Sequence, residues 1–163
     1  MRVLVSDTSV IIDLERGHLL DTCFKLPFEF CVPDLLYRRE LEAYGGPALI
    51  DLGLRVEGLT NAELTDAQAL RNGNMKLSLP DAFAFSLAKT RGYTLLTGDG
   101  ELRSVARDAK IPFFGVLWVA DQIFDGQLMK PHDLADCLQA IGDHQRCRLP
   151  KAEIRDRLNK FRC

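Results

Sequence analysis

The chain has 163 residues, of which 47% are apolar and 27% charged, and its formal net charge is −2. This length and composition are typical of one globular domain with a substantial core. No apolar run approaches the roughly 18 residues of a membrane span, and the first residues lack the apolar segment of a secretory signal, so we expect a protein without a membrane segment or a leader.

The first half of the chain alternates predicted strands and helices. A short apolar run at residues 3–5 predicts a buried strand, and Asp7-Thr8-Ser9 supplies oxygens that can cap the helix after it. The run 28–32 predicts a second strand, which Pro33 ends, and Pro33-Asp34 suits a helix opening. The elements predicted next are a short helix to residue 52, a weak strand at 54–57 and a helix at 60–71 with a capping-box spacing.

The second half continues the same alternation. Leu79-Pro80-Asp81 opens a helix whose residues 82–88 are mostly apolar on all sides, which is typical of a helix buried against a sheet. Gly92 is expected to end this helix. The remaining predicted elements are strands at 93–97 and 111–116 and helices at 101–110, 117–124, 132–141 and after Pro150.

This β–α–β–α order with short loops implies a parallel sheet covered by helices on both faces. Right-handed crossovers bring the carboxyl ends of all strands to one edge of such a sheet, where ligands bind. No repeat or linker suggests a second domain. We therefore expect residues 1–163 to form a single domain, in which residues 117–163 are a helical extension with a basic tail.

Four acidic residues fall at that edge of the predicted sheet. Asp7 follows the first strand and Asp99 follows the strand at 93–97, while Asp81 and Glu40 lie on helices. Each aspartate alone could simply cap a helix N-terminus. Together, carboxylates that converge on one point repel each other unless a cation sits between them, so the pattern predicts a divalent metal site.

Hard oxygen ligands of this kind suit Mg²⁺ or Mn²⁺. Such an ion can polarise a phosphoryl oxygen and lower the pKa of a bound water, so the metal site in turn predicts phosphodiester chemistry. Thr97 precedes Asp99 at the same edge and can hydrogen-bond a carboxylate or a metal-bound water. Thr8 and Ser9 could do the same, and they could equally serve as helix caps.

Two other classes of α/β protein place acids at strand ends, and neither fits. A response-regulator receiver needs an acidic pair after the first strand and a lysine after the last, whereas Ser6-Asp7 is not such a pair and no lysine follows residues 111–116. A phosphatase with an aspartate nucleophile needs a second aspartate two positions on, where Ser9 stands.

Cysteine usage and the distribution of charge add two further expectations. The five cysteines are odd in number and include no Cys-x-x-Cys pair, which argues for a reducing compartment, the cytoplasm, and against a disulfide framework or a thiolate zinc site. Residues 145–163 carry a net charge of +5 and the rest of the chain −7. A solvated terminal helix explains this excess, and a contact with RNA or an acidic partner segment is the alternative.

Three segments resemble the motifs of PIN domains. Residues 5–14 (VSDTSVIIDL) resemble the family's opening, residues 32–41 (VPDLLYRREL) its second motif, and residues 79–102 its third and fourth motifs. The resemblance runs from residue 2 to about residue 116, and its last block is the most specific. The stretch after Trp118 matches less clearly, which would fit a lineage-specific addition.

The resemblance implies a three-layer α/β/α sandwich with a central five-stranded parallel sheet. It also implies a metal-dependent ribonuclease, often the toxin of a bacterial toxin–antitoxin pair and often a homodimer. The positions that match the family's acidic quartet are Asp7, Glu40, Asp81 and Asp99, and Thr97 matches its frequent hydroxyl.

Glu42 is a nearby competitor for the role of Glu40. Glu40 fits the second motif better because Pro33 and Leu41 flank it as that motif expects.

We therefore expect hydrolysis of single-stranded RNA by a metal-activated water. Asp7 and Asp99 would be the primary metal ligands, and Asp81 and Glu40 would complete the site. No aromatic RNA-recognition motif of the RRM type is present, and the basic residues considered for backbone phosphates are Arg38, Arg39 and Arg103. The expected partners are RNA, an antitoxin protein and a second copy of the chain. The alternative is a catalytically silent PIN-like module that binds RNA or a protein.

Overall fold

Five parallel strands form the centre of the structure, a computed structural model that describes residues 2–163. The strands are β1 (Val3–Ser6), β2 (Glu29–Pro33), β3 (Arg55–Glu57), β4 (Thr94–Leu96) and β5 (Phe113–Phe114). They pair in the order β3-β2-β1-β4-β5, and every pairing is parallel. The predicted five-stranded parallel sheet is confirmed.

Helices connect the strands and follow the last one. They are α1 (Thr8–Arg16), α2 (Leu20–Cys23), α3 (Asp34–Leu36), α4 (Gly46–Leu52), α5 (Asn61–Gly73), α6 (Leu79–Arg91), α7 (Gly100–Asp108), α8 (Val116–Asp125), α9 (Pro131–Asp143) and α10 (Lys151–Phe161). Helix α3 continues directly into a π-helical turn, Tyr37–Leu41. None of the helices in residues 2–163 combines the length and hydropathy that a bilayer crossing requires.

The sheet separates two hydrophobic cores because successive side chains of a strand point to opposite faces. In β1, Leu4 lies in one core and Val5 in the other. Their register partners in β2 divide in the same way, with Phe30 beside Leu4 and Cys31 beside Val5. Helices α1, α8, α9 and α10 cover the first face, and α5, α6 and α7 cover the second. The predicted three-layer sandwich is therefore confirmed.

The last two helices are part of the first core. Leu138 of α9 and Phe161 of α10 are almost fully buried in the same cluster as Leu4 of the central strand. The end of α1 also approaches α9 closely, since a Cβ at Gly17 would lie 2.6 Å from the Cδ1 of Ile141. The space beside Gly17 is thus taken by α9, which explains why this turn needs a glycine.

Two local features differ from the sequence-based expectations. The strand expected at residues 111–116 is reduced to β5, because Gly115 is the N-cap of α8, which begins at Val116. The helix expected after Pro33 includes the π-helical turn. By contrast, the expected capping box is present, with Thr60 and Glu63 bonding each other's backbone N–H groups.

Candidate active site

The candidate site lies where the strand order reverses. Strands β1 and β4 are direct neighbours, with Ser6 opposite Leu96, and the chain adds β2 and β3 on one side and β5 on the other. In open α/β sheets this switch point forms a crevice at the carboxyl ends of the strands. The Asp7 backbone N–H donates to the Leu96 carbonyl at 3.0 Å, so Asp7 leaves β1 directly at this crevice.

Asp7 is buried, with only 4% of its surface exposed. Its carboxylate caps α1 by accepting the Val10 backbone N–H at 3.0 Å, and it also accepts the Ser9 hydroxyl at 2.9 Å and the Thr97 hydroxyl. Burial raises the pKa of Asp7 above its ordinary value, and these hydrogen bonds counteract part of that shift. The protein thus keeps a carboxylate where a negative charge is poorly solvated.

Thr97 connects Asp7 to Asp99. Its side chain is fully buried, donates to Oδ2 of Asp7 and accepts the Asp99 backbone N–H at 3.0 Å. Asp99 in turn caps α7, because its Oδ1 accepts the Glu101 backbone N–H at 2.8 Å. The two strand-end aspartates are therefore held in place by one hydroxyl and by the helices that they cap.

Asp81 approaches this pair from the first turn of α6. Its backbone N–H donates to the Ser78 hydroxyl at 3.2 Å, which caps the helix and orients that turn. The pKa of Asp81 is raised to about 7, first by burial, then by the negative charge of Asp7 and by its proximity to Asp99, to which a protonated Asp81 can donate a hydrogen bond. The structure therefore brings the three predicted aspartates together.

Glu40 lies at the rim of the site, on the π-helical turn. It is exposed, and its Oε2 accepts the hydroxyl of Thr8, the residue after Asp7, at 2.5 Å. The turn is closed by the Glu42 backbone N–H, which donates to the Tyr37 carbonyl at 2.8 Å, five residues earlier. Glu40, rather than its competitor Glu42, makes the contact with the segment that carries Asp7.

The donor chemistry of the site fits a divalent cation. Within residues 2–163 no three His, Cys, Asp or Glu side chains are already grouped so that they could hold a metal ion. The electrostatics nevertheless favour a cation, because burial and the charges of Asp7 and Asp99 disfavour ionised Asp81. All candidate ligands are carboxylates, which suit hard ions. The carboxylates that meet here are those of Asp7, Asp81 and Asp99, while Glu40, which contacts Thr8, lies at the rim.

The three arginines considered for phosphate contacts lie in different settings. The Arg103 Nε donates to the Thr97 carbonyl at 2.8 Å, and its guanidinium lies 5.4 Å from the centroid of the Phe113 ring. Arg38 is exposed, with Nη2 3.8 Å from Oδ2 of Asp34. Arg39 is exposed on the π-helical turn beside Glu40. Arg103 thus supports the backbone of the site, whereas the other two remain at its periphery.

A cleft of about 570 Å³ opens beside Asp99. The residues that line it are Ser9, Ile12, Asp13, Arg16, Gly98, Asp99, Gly100, Arg146, Arg148 and Leu149. Arg16 was not among the predicted site residues, although the spacing 9, 12, 13 and 16 is that of one face of α1. Arg146 and Arg148 were predicted only as part of the basic tail.

Comparison with known proteins agrees with this architecture. A family model described as a PIN domain matches residues 3–162, and this chain belongs to the PIN-domain family. Proteins of this family are typically nucleases and generally use divalent metals.

One similar solved structure comes from an archaeon. The chain is similar to a PilT N-terminus domain protein from the hyperthermophilic archaeon Sulfolobus solfataricus P2, with 12% sequence identity and a TM-score of 0.48. The matched region covers 76% of this chain and 94% of that protein. No curated protein matches this sequence significantly.

Proposed function

We propose that this protein is a divalent-metal-dependent ribonuclease that cleaves single-stranded RNA. The observation that carries the proposal is the convergence of Asp7, Asp81 and Asp99 at the switch point, where their charges disfavour one another. Membership of a family of typical nucleases supports the same class of reaction. Bound Mg²⁺ or Mn²⁺ would polarise a phosphoryl oxygen and make a bound water more acidic.

The protein's own residues prepare the site for this chemistry. Thr97 and the N-terminal turns of α1 and α7 hold the Asp7 and Asp99 carboxylates in fixed positions. Such rigidity lowers the reorganisation needed when charge develops during a reaction. Glu40 reaches the rim through its contact with Thr8 and would complete the set of oxygen ligands.

The alternative is a catalytically silent module that binds RNA or a protein. The absence of a preassembled three-ligand group in residues 2–163 favours this alternative, because a silent module needs no metal. It differs from the ribonuclease in one measurable respect, since RNA would stay intact when Mn²⁺ or Mg²⁺ is added.

The decisive experiment follows cleavage of mixed single-stranded RNA with Mn²⁺, with Mg²⁺ and with EDTA. Asp99→Asn should lower the rate roughly 100-fold or more, because it removes one charged ligand while the amide can still cap α7. Asp66→Asn on the exposed side of α5 is the matched control and should cleave as the wild type does. Equal degradation by wild type and Asp99→Asn would show contamination and defeat the proposal.

The finer biological role is part of the same proposal. All five cysteines are free, which supports a reducing compartment such as the cytoplasm. We propose the toxin of a toxin–antitoxin pair as the specific role, with an antitoxin protein and a second copy of the chain as partners. Growth arrest on induction, relieved by a small DNA-binding protein encoded next to this one, is the expected result, and normal growth would contradict it.

A further inference from the structure

We propose that Arg146 and Arg148, in the loop between α9 and α10, bind backbone phosphates of single-stranded RNA beside the acidic site. The proposal rests on the ribonuclease function and extends it, because it assigns the path of the substrate next to Asp99. It also divides the basic tail into a part that serves the fold and a part that serves binding.

The position of the two arginines is the first observation. The loop crosses from the end of α9 to the start of α10 and borders the cleft that contains Asp99. Arg16 of α1 lines the same cleft, with its Nη1 3.6 Å from Oδ1 of Asp13. Three arginines therefore line a cleft that also contains Asp99 of the candidate site. Arginine is well suited to such a place because its planar fork matches phosphate geometry.

The local structure of the loop explains why these side chains reach the cleft. Cys147 and Leu149 pack against the first hydrophobic core, and Arg146 and Arg148, which alternate with them, are exposed. The turn is closed by His144, whose carbonyl accepts the Cys147 backbone N–H at 2.9 Å. The loop is thus anchored to the core by Cys147 and Leu149, and its two arginines point away from the core and line the cleft.

The charges of these arginines are not neutralised by the fold. In the chain from residue 2 to residue 163, neither Arg146 nor Arg148 has a carboxylate oxygen within 4.0 Å. By contrast, Arg157 of α10 binds both carboxylate oxygens of Asp121, at 3.0 and 2.9 Å. Some cations of α10 therefore stabilise the fold, whereas the two loop arginines keep their charge available for a polyanion.

A second cleft of about 450 Å³ extends the first and is the reason why we propose a nucleic acid rather than an acidic peptide. Arg148 lines both clefts, and the second reaches Phe113, Phe114 and Trp118. The Phe114 and Trp118 rings stack with centroids 4.3 Å apart. A cationic groove bordered by aromatic side chains is a combination that is typical of sites for single-stranded nucleic acids. An acidic peptide would use the cations but would gain little from the aromatic wall.

The test measures binding of a fluorescent, mixed-sequence single-stranded RNA in EDTA, where metal-dependent cleavage cannot occur. Arg146→Gln/Arg148→Gln should weaken binding roughly 10-fold at low salt. It should also reduce the slope of log affinity against log salt by about 1.4, since each phosphate contact on a single strand contributes about 0.7. Arg146→Lys/Arg148→Lys keeps both charges and should keep most of that slope.

The matched control is Lys151→Gln/Arg155→Gln, which removes the same charge from exposed positions of α10 in the same tail. It should bind RNA within about 2-fold of the wild type, because its side chains do not line either cleft. Thermal unfolding should be unchanged in both double variants, since none of the four side chains forms an ion pair within the described chain.

Several results would overturn the proposal. They are equal weakening by both double variants, unchanged affinity of the loop variant, undetectable binding by the wild type, or stronger competition by an acidic peptide than by unlabelled RNA. Failure of the ribonuclease proposal is distinguishable, because arginine-dependent RNA binding in EDTA with no cleavage in Mn²⁺ or Mg²⁺ would reject catalysis alone.

Discussion

The fold treats two groups of buried and half-buried carboxylates in opposite ways. At Glu63 the Arg91 guanidinium makes two close contacts, Nη2 to Oε1 at 2.8 Å and Nε to Oε2 at 3.0 Å, and the Thr90 hydroxyl donates as well. The hydrogen bond from Arg91 is the main reason why the pKa of Glu63 is lowered to about 2. Within residues 2–163 Asp81 forms no ion pair with a Lys or Arg side chain, and burial and the charge of Asp7 raise its pKa to about 7.

The difference shows what each group of acids does in the molecule. Glu63 joins α5 to α6 through Arg91, so its charge stabilises the fold. The aspartates at the switch point receive hydroxyl and backbone N–H groups, which orient a carboxylate but do not neutralise it. The switch point therefore keeps carboxylates that these hydrogen bonds do not neutralise, which is the property that the proposed metal site requires.

Asp7→Asn should show the largest difference between its effect on RNA cleavage and its effect on stability. RNA cleavage should fall roughly 100-fold or more, because a charged ligand is lost. The metal-free protein should not become less stable, because asparagine also caps a helix and a poorly solvated charge is removed. Cleavage assays and urea unfolding in EDTA measure the two effects. A large loss of stability together with full activity would show that Asp7 stabilises the fold, as Glu63 does, and has no role in cleavage.

Glu63→Gln should show the opposite behaviour. Removing one partner of this buried pair should lower the free energy of unfolding by about 3 kcal/mol, because Arg91 loses its counter-charge. Urea unfolding checks the value, with Glu42→Gln at an exposed position as the matched control. If the two variants had equal stability, the ion pair would have no structural role.

The pH dependence of stability should separate the two groups as well. Glu63 has a folded pKa of about 2, below its ordinary 4.5, so its contribution is present above pH 4.5 and is lost as the pH falls towards 2. Asp81 has a folded pKa raised from 3.8 to about 7, so its contribution is present below pH 3.8 and is lost as the pH rises through 7.

In EDTA the melting temperature should therefore fall between about pH 5, where the contribution of Glu63 is complete, and about pH 7, the folded pKa of Asp81. Saturating Mg²⁺ should remove most of this fall, because a cation stabilises the ionised carboxylates. Thermal unfolding in a pH series, repeated with Asp81→Asn, measures both effects. A wild-type melting temperature that rises over this range in EDTA would contradict the claim that the charge of Asp81 is not neutralised in the folded protein.

The smallest effect should distinguish Glu40 from Glu42. Glu40 contacts Thr8 at the rim of the site and is exposed, so Glu40→Gln should lower the cleavage rate only about 10-fold. Glu42→Gln should remain within about 2-fold of the wild type. Steady-state cleavage rates at saturating Mn²⁺ test this pair, and a greater loss in the Glu42 variant would assign the role to the competitor.

Local patterns were sufficient to predict the sheet and its switch point. The apolar run before Asp7 and the run before Asp99 predicted strands, and right-handed crossovers then bring their ends to one edge. Capping spacings such as Thr60 to Glu63 are also local, since the two partners are three residues apart. These features could be predicted because each depends on neighbouring residues and on backbone geometry.

The remaining features depend on contacts between distant segments. Arg91 neutralises Glu63 from 28 residues away, and no local pattern links them. The sequence of the π-helical turn that carries Glu40 would suit an ordinary α-helix, so the turn could not be predicted from it. Arg146 and Arg148 line the cleft beside Asp99 because the loop packs its alternate residues, Cys147 and Leu149, against the core. Predicting the neutralised and the unneutralised carboxylates therefore required the tertiary structure.

The most direct test of the account is a calorimetric titration of Mn²⁺ into the wild-type chain and into Asp99→Asn at neutral pH. The wild type should bind the ion and release protons, because a cation favours the ionised form of Asp81, and Asp99→Asn should lose most of this binding. Equal binding by the two proteins, or no binding by the wild type, would contradict a cation site at the switch point.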